Sequence, residues 1–116
     1  MNDMERVEKL IKIDELHTAM FAYMLERLKQ TQDGDGTLLD HSLVLFGSSL
    51  SESNIHTHDD LPIVLAGAGN GQVKGNRHLL YPKETPLNNL MLNMFDAAGV
   101  PDVEGFGDST GRLADL

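Results

Sequence analysis

The segment 43–66, LVLFGSSLSESNIHTHDDLPIVLA, places a polar stretch between two short apolar runs. The runs, residues 43–46 and 63–66, have the length and continuous apolar character typical of strands buried on both faces of an α/β sheet. Between them, residues 47–61 hold serines, two histidines and two aspartates. The segment therefore predicts a buried sheet that ends in a polar loop, which is where catalytic groups of α/β proteins are often found.

A long helix is predicted over residues 4–30, because apolar residues recur there at steps of three and four. They are Val7, Leu10, Ile13, Met20, Phe21, Met24, Leu25 and Leu28. At about 1.5 Å per residue this helix is about 40 Å long, which exceeds the needs of a small domain. We expect part of it to pack on a surface that this chain does not provide. Residues 30–37, QTQDGDGT, break the helix.

A second helix is marked by residues at both of its ends. Thr85 is a suitable N-cap with Pro86 at the first helical position, and Gly99 fits the position after the C-cap. Residues 78–82, HLLYP, indicate a weaker strand stopped by its proline. The tail, residues 102–116, lacks periodicity and is predicted to be a surface segment.

The order helix, strand, strand, weak strand, helix predicts an α/β fold. We expect a short mixed sheet of about three strands, flanked by the long N-terminal helix and the second helix. The length of 116 residues suits a single α/β domain over 1–116.

Composition restricts the partners. The 18 acidic and 9 basic residues give a net charge of −9, which disfavours nucleic acid and anionic membrane surfaces. There is no cysteine, so disulfides and thiolate metal sites are excluded. The N-terminal MNDMERVEKLIK lacks the apolar region of a signal peptide, and the compartment of the chain itself stays unknown.

His56 and His58 are the candidate metal ligands of the polar loop. Two histidines separated by one residue can face the same ion, and Asp59 can add a carboxylate. The one cofactor that the sequence suggests is therefore a weakly bound divalent metal such as zinc. The alternative is a polar connection in which serine, asparagine and aspartate side chains bond to the local backbone.

Three other features of the sequence give no indication of a catalytic or phosphate-binding site. The sequence GSSLS at 47–51 lacks the second glycine of a nucleophile elbow, so we predict no catalytic residue there. The glycines of GAGNG at 67–71 are not followed by the GK[ST] of a phosphate-binding loop and indicate a turn. His17, on the apolar side of the first helix, is interpreted as a core or interface histidine.

Four stretches carry a family resemblance: KIDELHTAMFAYMLERLK (12–29), the segment 33–71, GNRHLLYPKETPLNNLMLNMFDAAGVP (75–101) and FGDSTGRL (106–113). Together they resemble the C-terminal part of domain-of-unknown-function family 1552, a family of exported bacterial proteins several times longer. The resemblance implies that this chain is a C-terminal fragment of a periplasmic or cell-envelope protein.

The same order of elements is more distantly similar to the C-terminal half of the alkaline-phosphatase and sulfatase superfamily. The resemblance implies that Ser48 and Ser49 stand where that superfamily has an Asp-His pair of metal ligands. His56 or His58 stands where it has a later histidine ligand. Two hydroxyls are poor substitutes for a carboxylate and an imidazole on a divalent metal.

Two functions are therefore expected. The first is a C-terminal segment of a metal-dependent hydrolase-like protein, catalytically incomplete on its own. The alternative is a non-catalytic binding or structural module. The expected partner is a second copy of the chain or the N-terminal portion of the same protein, and neither nucleic acid nor membrane is expected.

Overall fold

The computed structural model describes residues 3–116, whose contacts form two compact units. The first unit ends at Leu38, and the second is Leu39–Leu116. Each contains one helix and one small antiparallel sheet, so the predicted mixture of α and β structure is confirmed. The predicted single domain over 1–116 stays a prediction. Residues 1–2 of the N-terminal stretch lie outside the described part.

The first unit consists of a long helix and a hairpin. Helix α1 spans Met4–Gln30, as predicted, and the Asp3 carboxylate caps it by accepting the Arg6 backbone N–H at 3.4 Å. The predicted breaker segment contains two strands of two residues each, β1 (Gln32–Asp33) and β2 (Gly36–Thr37). They pair antiparallel, so the chain reverses direction directly after the helix.

The sheet of the second unit has two strands instead of the predicted three. Strands β3 (Val44–Gly47) and β4 (Ile63–Ala66) pair antiparallel, and both were predicted. The mixed three-stranded sheet is wrong, because residues 78–82 form no strand. Pro82 has no N–H to donate to a neighbouring strand. The Tyr81 side chain contacts the tail, where its hydroxyl donates to the Ala114 carbonyl at 3.0 Å.

The apolar runs predicted that both strands of this sheet are buried on both faces, and this prediction is wrong. No residue of β3 or β4 is fully buried, and the Val64 side chain is 50% exposed. In a two-stranded sheet each strand has one neighbour only, so little of its surface can be covered. The sheet predicted from the apolar runs is therefore larger than the one observed.

Helix α2 spans Asn88–Ala97 and begins later than predicted. The Thr85 hydroxyl donates to the Pro82 carbonyl at 2.7 Å instead of capping the helix, so the N-cap prediction is wrong. The predicted C-terminus is confirmed. Gly99 has a positive φ of 78°, and its N–H and that of Val100 bond back to the last turn of the helix. This is the Schellman arrangement.

The core of the second unit lies on α2. Leu90 and Leu92 are the buried apolar residues among residues 3–116, and Asn89 is the buried polar one. The tail, residues 102–116, has no helix or strand and is largely exposed, in line with its prediction as a surface segment. It is nevertheless fixed to α2, since the rings of Phe95 and Phe106 meet edge to face at 5.3 Å.

Candidate functional site

Within the polar loop between β3 and β4, the chain reverses direction between Ser51 and Thr57. Ser51 N–H donates to the Thr57 carbonyl at 3.0 Å, and Thr57 N–H donates to the Glu52 carbonyl at 3.2 Å. The Glu52 carboxylate accepts the backbone N–H groups of Asn54 and Ile55 at 2.9 and 3.2 Å. One backbone bridge and the carboxylate of Glu52 together therefore hold the backbone of the loop.

Two serines of the loop also form hydrogen bonds within it, one to a backbone N–H and one to a threonine hydroxyl. The Ser48 hydroxyl accepts the Leu50 N–H at 3.2 Å, and the Ser51 hydroxyl lies 2.9 Å from that of Thr57. In residues 3–116 neither serine is hydrogen-bonded to an imidazole, which a serine nucleophile requires as its base. The structural role expected for Ser48 and Ser51 is confirmed.

His58 is held in one orientation. Its Nδ1 lies 2.9 Å from the Ser49 carbonyl oxygen, and because a carbonyl only accepts, Nδ1 carries the proton. In the neutral form of such a ring, the other nitrogen, Nε2, has the lone pair. A backbone carbonyl on one ring nitrogen is how metal-binding histidines are commonly oriented. His58 is exposed, so its lone pair is accessible to a ligand from solvent.

The two other predicted ligands do not join His58 in a formed site. His56 is exposed and has a left-handed backbone, with φ of 56°, and Asp59 is exposed as well. Within residues 3–116, no three histidine, aspartate or glutamate side chains lie close enough together to hold a metal ion. The weak zinc site at His56, His58 and Asp59 therefore stays a prediction, with His58 as its best-oriented member.

The glycine-rich turn at 67–71 uses its N–H groups internally. Ala68, Gly69 and Asn70 donate to the carbonyls of Leu39, Ser42 and Asp40 at 3.2, 3.0 and 2.9 Å. A phosphate-binding loop needs such N–H groups to be free for the anion. The interpretation of GAGNG as a turn is therefore confirmed.

Gly67 begins that turn at a position where no other residue fits. Its φ is 96°, and a Cβ atom there would lie 2.1 Å from the Ser42 carbonyl oxygen. The glycine thus allows the turn to approach the backbone of residues 39–42.

A polar network of the second unit joins α2 to the tail, and the sequence interpretation did not predict it. Asn89 Oδ1 accepts the Thr110 N–H at 2.8 Å and its Nδ2 donates to the Thr110 hydroxyl at 3.1 Å. One turn later, Asn93 accepts the Leu113 N–H at 2.8 Å and donates to the Leu113 carbonyl at 3.1 Å. Two asparagines four apart inside a helix are the available signal, since asparagine is a poor helix former.

Arg112 completes this network. Its Nε and one terminal nitrogen donate to the two Asp96 carboxylate oxygens at 2.5 and 2.7 Å, a bidentate pair. The terminal nitrogen also donates to the carbonyls of Pro101 and Val103. The hydrogen bonds from Arg112, and secondarily its charge, lower the pKa of Asp96 against the opposing effect of burial. The same hydrogen bonds raise the pKa of Arg112.

The apolar side chains of α1 form a separate candidate surface. No residue of this helix is buried, and nine of its large apolar side chains are between 39% and 64% exposed. They are Met4, Val7, Leu10, Ile11, Ile13, Leu16, Met20, Tyr23 and Met24, which we call the α1 apolar face. Large amounts of exposed apolar surface are uncommon on monomeric proteins, so these side chains indicate an interaction site.

No protein-family model, curated protein or solved structure matches the chain. Among the described residues, neither helix combines the length and the apolar content of a bilayer-spanning segment. The geometry of the loop, the tail network and the α1 apolar face is therefore the basis for a functional proposal.

Proposed function

We propose that the chain is a non-catalytic interaction module whose working surface is the α1 apolar face. The observation that supports this is the exposure of that face, where Leu10 is 55% and Met20 is 62% exposed. Full burial of one such side chain contributes about 1.5–3 kcal/mol, so covering several of them would drive a stable association.

The hydrogen bonds of the polar loop also support a non-catalytic function. Ser48 and Ser51 have backbone or hydroxyl partners, and the His58 ring is hydrogen-bonded to the Ser49 carbonyl. A hydrolase of the alkaline-phosphatase type needs a nucleophile and metals held in one geometry. The resemblance to that superfamily, and a periplasmic or cell-envelope location, are part of the proposal only.

The experiment compares the wild-type chain with Ile13→Glu, which places a charge in the α1 apolar face. Ala19→Glu is the matched control, because it adds the same side chain on an exposed position among the charged residues of α1. We expect the wild type and Ala19→Glu to bind the apolar dye 8-anilinonaphthalene-1-sulfonate or to associate, and Ile13→Glu to do neither. Equal behaviour of all three chains contradicts the proposal.

A second candidate function is a segment of a metal-dependent hydrolase-like protein, and the orientation of His58 favours it. With Nδ1 bonded to the Ser49 carbonyl, Nε2 could serve as one ligand of a divalent metal. A site with so few ligands binds weakly, so it stabilises the chain only at high metal concentration. Melting curves should therefore shift in millimolar but not in micromolar zinc.

His58→Ala should abolish that shift, whereas His56→Ala, at an exposed position without an ordered hydrogen bond to its ring, should weaken it less. Strong stabilisation by micromolar zinc would show a complete metal site and favour the hydrolase candidate. Absence of any response at millimolar zinc would leave the loop as a polar connection.

A further inference from the structure

The charge of α1 differs from that of the rest of the chain. Helix α1 carries five acidic and five basic side chains and is neutral. Residues 31–116 carry twelve acidic and four basic side chains, a net charge of −8. A basic partner would be attracted to residues 31–116 instead, so the surface that suits the α1 apolar face is another neutral amphipathic helix.

The spacing of the exposed apolar residues fits a helix pair. Leu10, Ile13, His17, Met20 and Met24 follow one another at steps of three, four, three and four, the spacing of the a and d positions in a two-stranded coiled coil. All five are exposed. His17 is then the single polar residue within the seam, at an a position. Polar residues at such positions fix the register of parallel pairs.

The charges beside the seam distinguish a parallel from an antiparallel pair. In a parallel pair, Lys9 at a g position faces Asp14 of the partner helix at an e position. Lys9 Nζ already lies 2.6 Å from Glu5 of its own helix, so the ammonium would stand between two carboxylates. Within residues 3–116, Asp14 makes no ion pair in its own chain, and its carboxylate is available to a partner. In an antiparallel pair, g positions face g positions, and the further g positions of α1 are Leu16 and Tyr23, so Lys9 would face no carboxylate across the interface.

We propose that the chain forms a homodimer through a parallel, in-register pairing of its α1 helices, with His17 beside His17 of the second copy. This inference rests on the proposed function, because it names the occupant of the α1 apolar face. The two α1 helices cover the seam of each other, and two Lys9–Asp14 pairs across the interface select the parallel direction.

Disulfide cross-linking tests the direction, since the chain has no cysteine of its own. Leu10→Cys and Met24→Cys are oxidised separately and as a mixture, with Glu15→Cys on the polar side of α1 as the control. We expect each seam variant to form a disulfide with its own kind and the control to form none. A disulfide formed mainly between position 10 and position 24 would overturn the parallel arrangement.

Sedimentation equilibrium tests the dimer itself. The wild type should have twice the chain mass of 12.8 kDa. Ile13→Glu should raise the dimer dissociation constant by at least about 100-fold and Ala19→Glu by less than about threefold, since only the first places charge in the seam. Lys9→Glu should weaken the dimer and Lys9→Glu/Asp14→Lys should restore it. A monomeric wild type that still binds the apolar dye overturns self-association but leaves the α1 apolar face as an interaction surface.

Discussion

At the scale of single residues, the amides of Asn89 and Asn93 determine where the tail lies. Each side-chain amide accepts a backbone N–H of the tail through its Oδ1 and donates through its Nδ2 to an oxygen of the same tail residue, the Thr110 hydroxyl or the Leu113 carbonyl. Asn89 is 6% exposed, and both of its amide atoms are used. Among the described residues, no buried side-chain nitrogen or oxygen lacks a partner, so the cost of burying this amide is offset.

Asn89→Ala should destabilise the chain by about 1–3 kcal/mol, because it leaves the Thr110 N–H without its acceptor. Asn88→Ala is the matched control on the same helix, since Asn88 bonds to the exposed carboxylate of Asp108. We expect the control to cost less than about 1 kcal/mol. Urea unfolding measures both free energies. A larger loss for Asn88→Ala would contradict the assignment of Asn89 as the main anchor.

The pair Asp96–Arg112 should make stability depend on pH in the acid range. The hydrogen bonds from Arg112 lower the folded-state pKa of Asp96 below its ordinary value of 3.8. The unfolded chain then binds the proton first, so the stabilisation is fully present above that ordinary value and is lost as pH falls through the folded-state pKa. Asp96→Asn should have a smaller dependence of melting temperature on pH below about pH 4.

Thermal melts of the wild type and of Asp96→Asn at a series of acid pH values measure this difference. Asp102→Asn is the control, because Asp102 is exposed and has no bonded partner in the described residues. Parallel curves for the wild type and Asp96→Asn would show that the bidentate pair does not persist in solution.

At the scale of elements, helix α2 ends where the backbone adopts a left-handed conformation. Gly99 has a positive φ of 78°, and a Cβ atom there would meet nothing within 4 Å. Gly99→Ala should therefore cost about 1–2 kcal/mol through its left-handed backbone alone. Gly75→Ala is the matched control, because that glycine has equal space and no positive φ.

The Gly75→Ala control should be neutral or stabilise the chain by up to about 1 kcal/mol, since alanine restricts the unfolded chain. Chemical denaturation followed by circular dichroism gives both values. If Gly75→Ala were as destabilising as Gly99→Ala, the loss could not be assigned to the helix terminus.

At the scale of the whole molecule, we expect the chain alone to show no hydrolysis of aryl phosphate or aryl sulfate esters with zinc, manganese or calcium. Acceleration of these reactions needs a nucleophile, a metal and donors for the developing charge in one geometry. The described residues hold no three metal-binding side chains together, and Ser48 bonds to the loop backbone. Activity that copurifies with the chain and is lost in Ser48→Ala or His58→Ala would overturn this expectation.

The sequence by itself determined the elements that depend on neighbours along the chain. The limits of α1 follow from its three- and four-residue apolar spacing, and the end of α2 follows from Gly99. The segments Val44–Gly47 and Ile63–Ala66 are strands, as their apolar runs indicate. The role of Ser48 was also predictable, because a serine hydroxyl readily bonds to a backbone N–H two residues away.

Only the tertiary structure decided which elements pair and what fixes the tail. Apolar runs do not report how many strands lie side by side, so a two-stranded sheet was indistinguishable from a larger one. The partners of Asn89, Asn93 and Asp96 lie 16 to 21 residues away along the chain. Hydrogen bonds over such separations leave no periodic pattern in a sequence, because they depend on where the folded backbone brings two distant segments together.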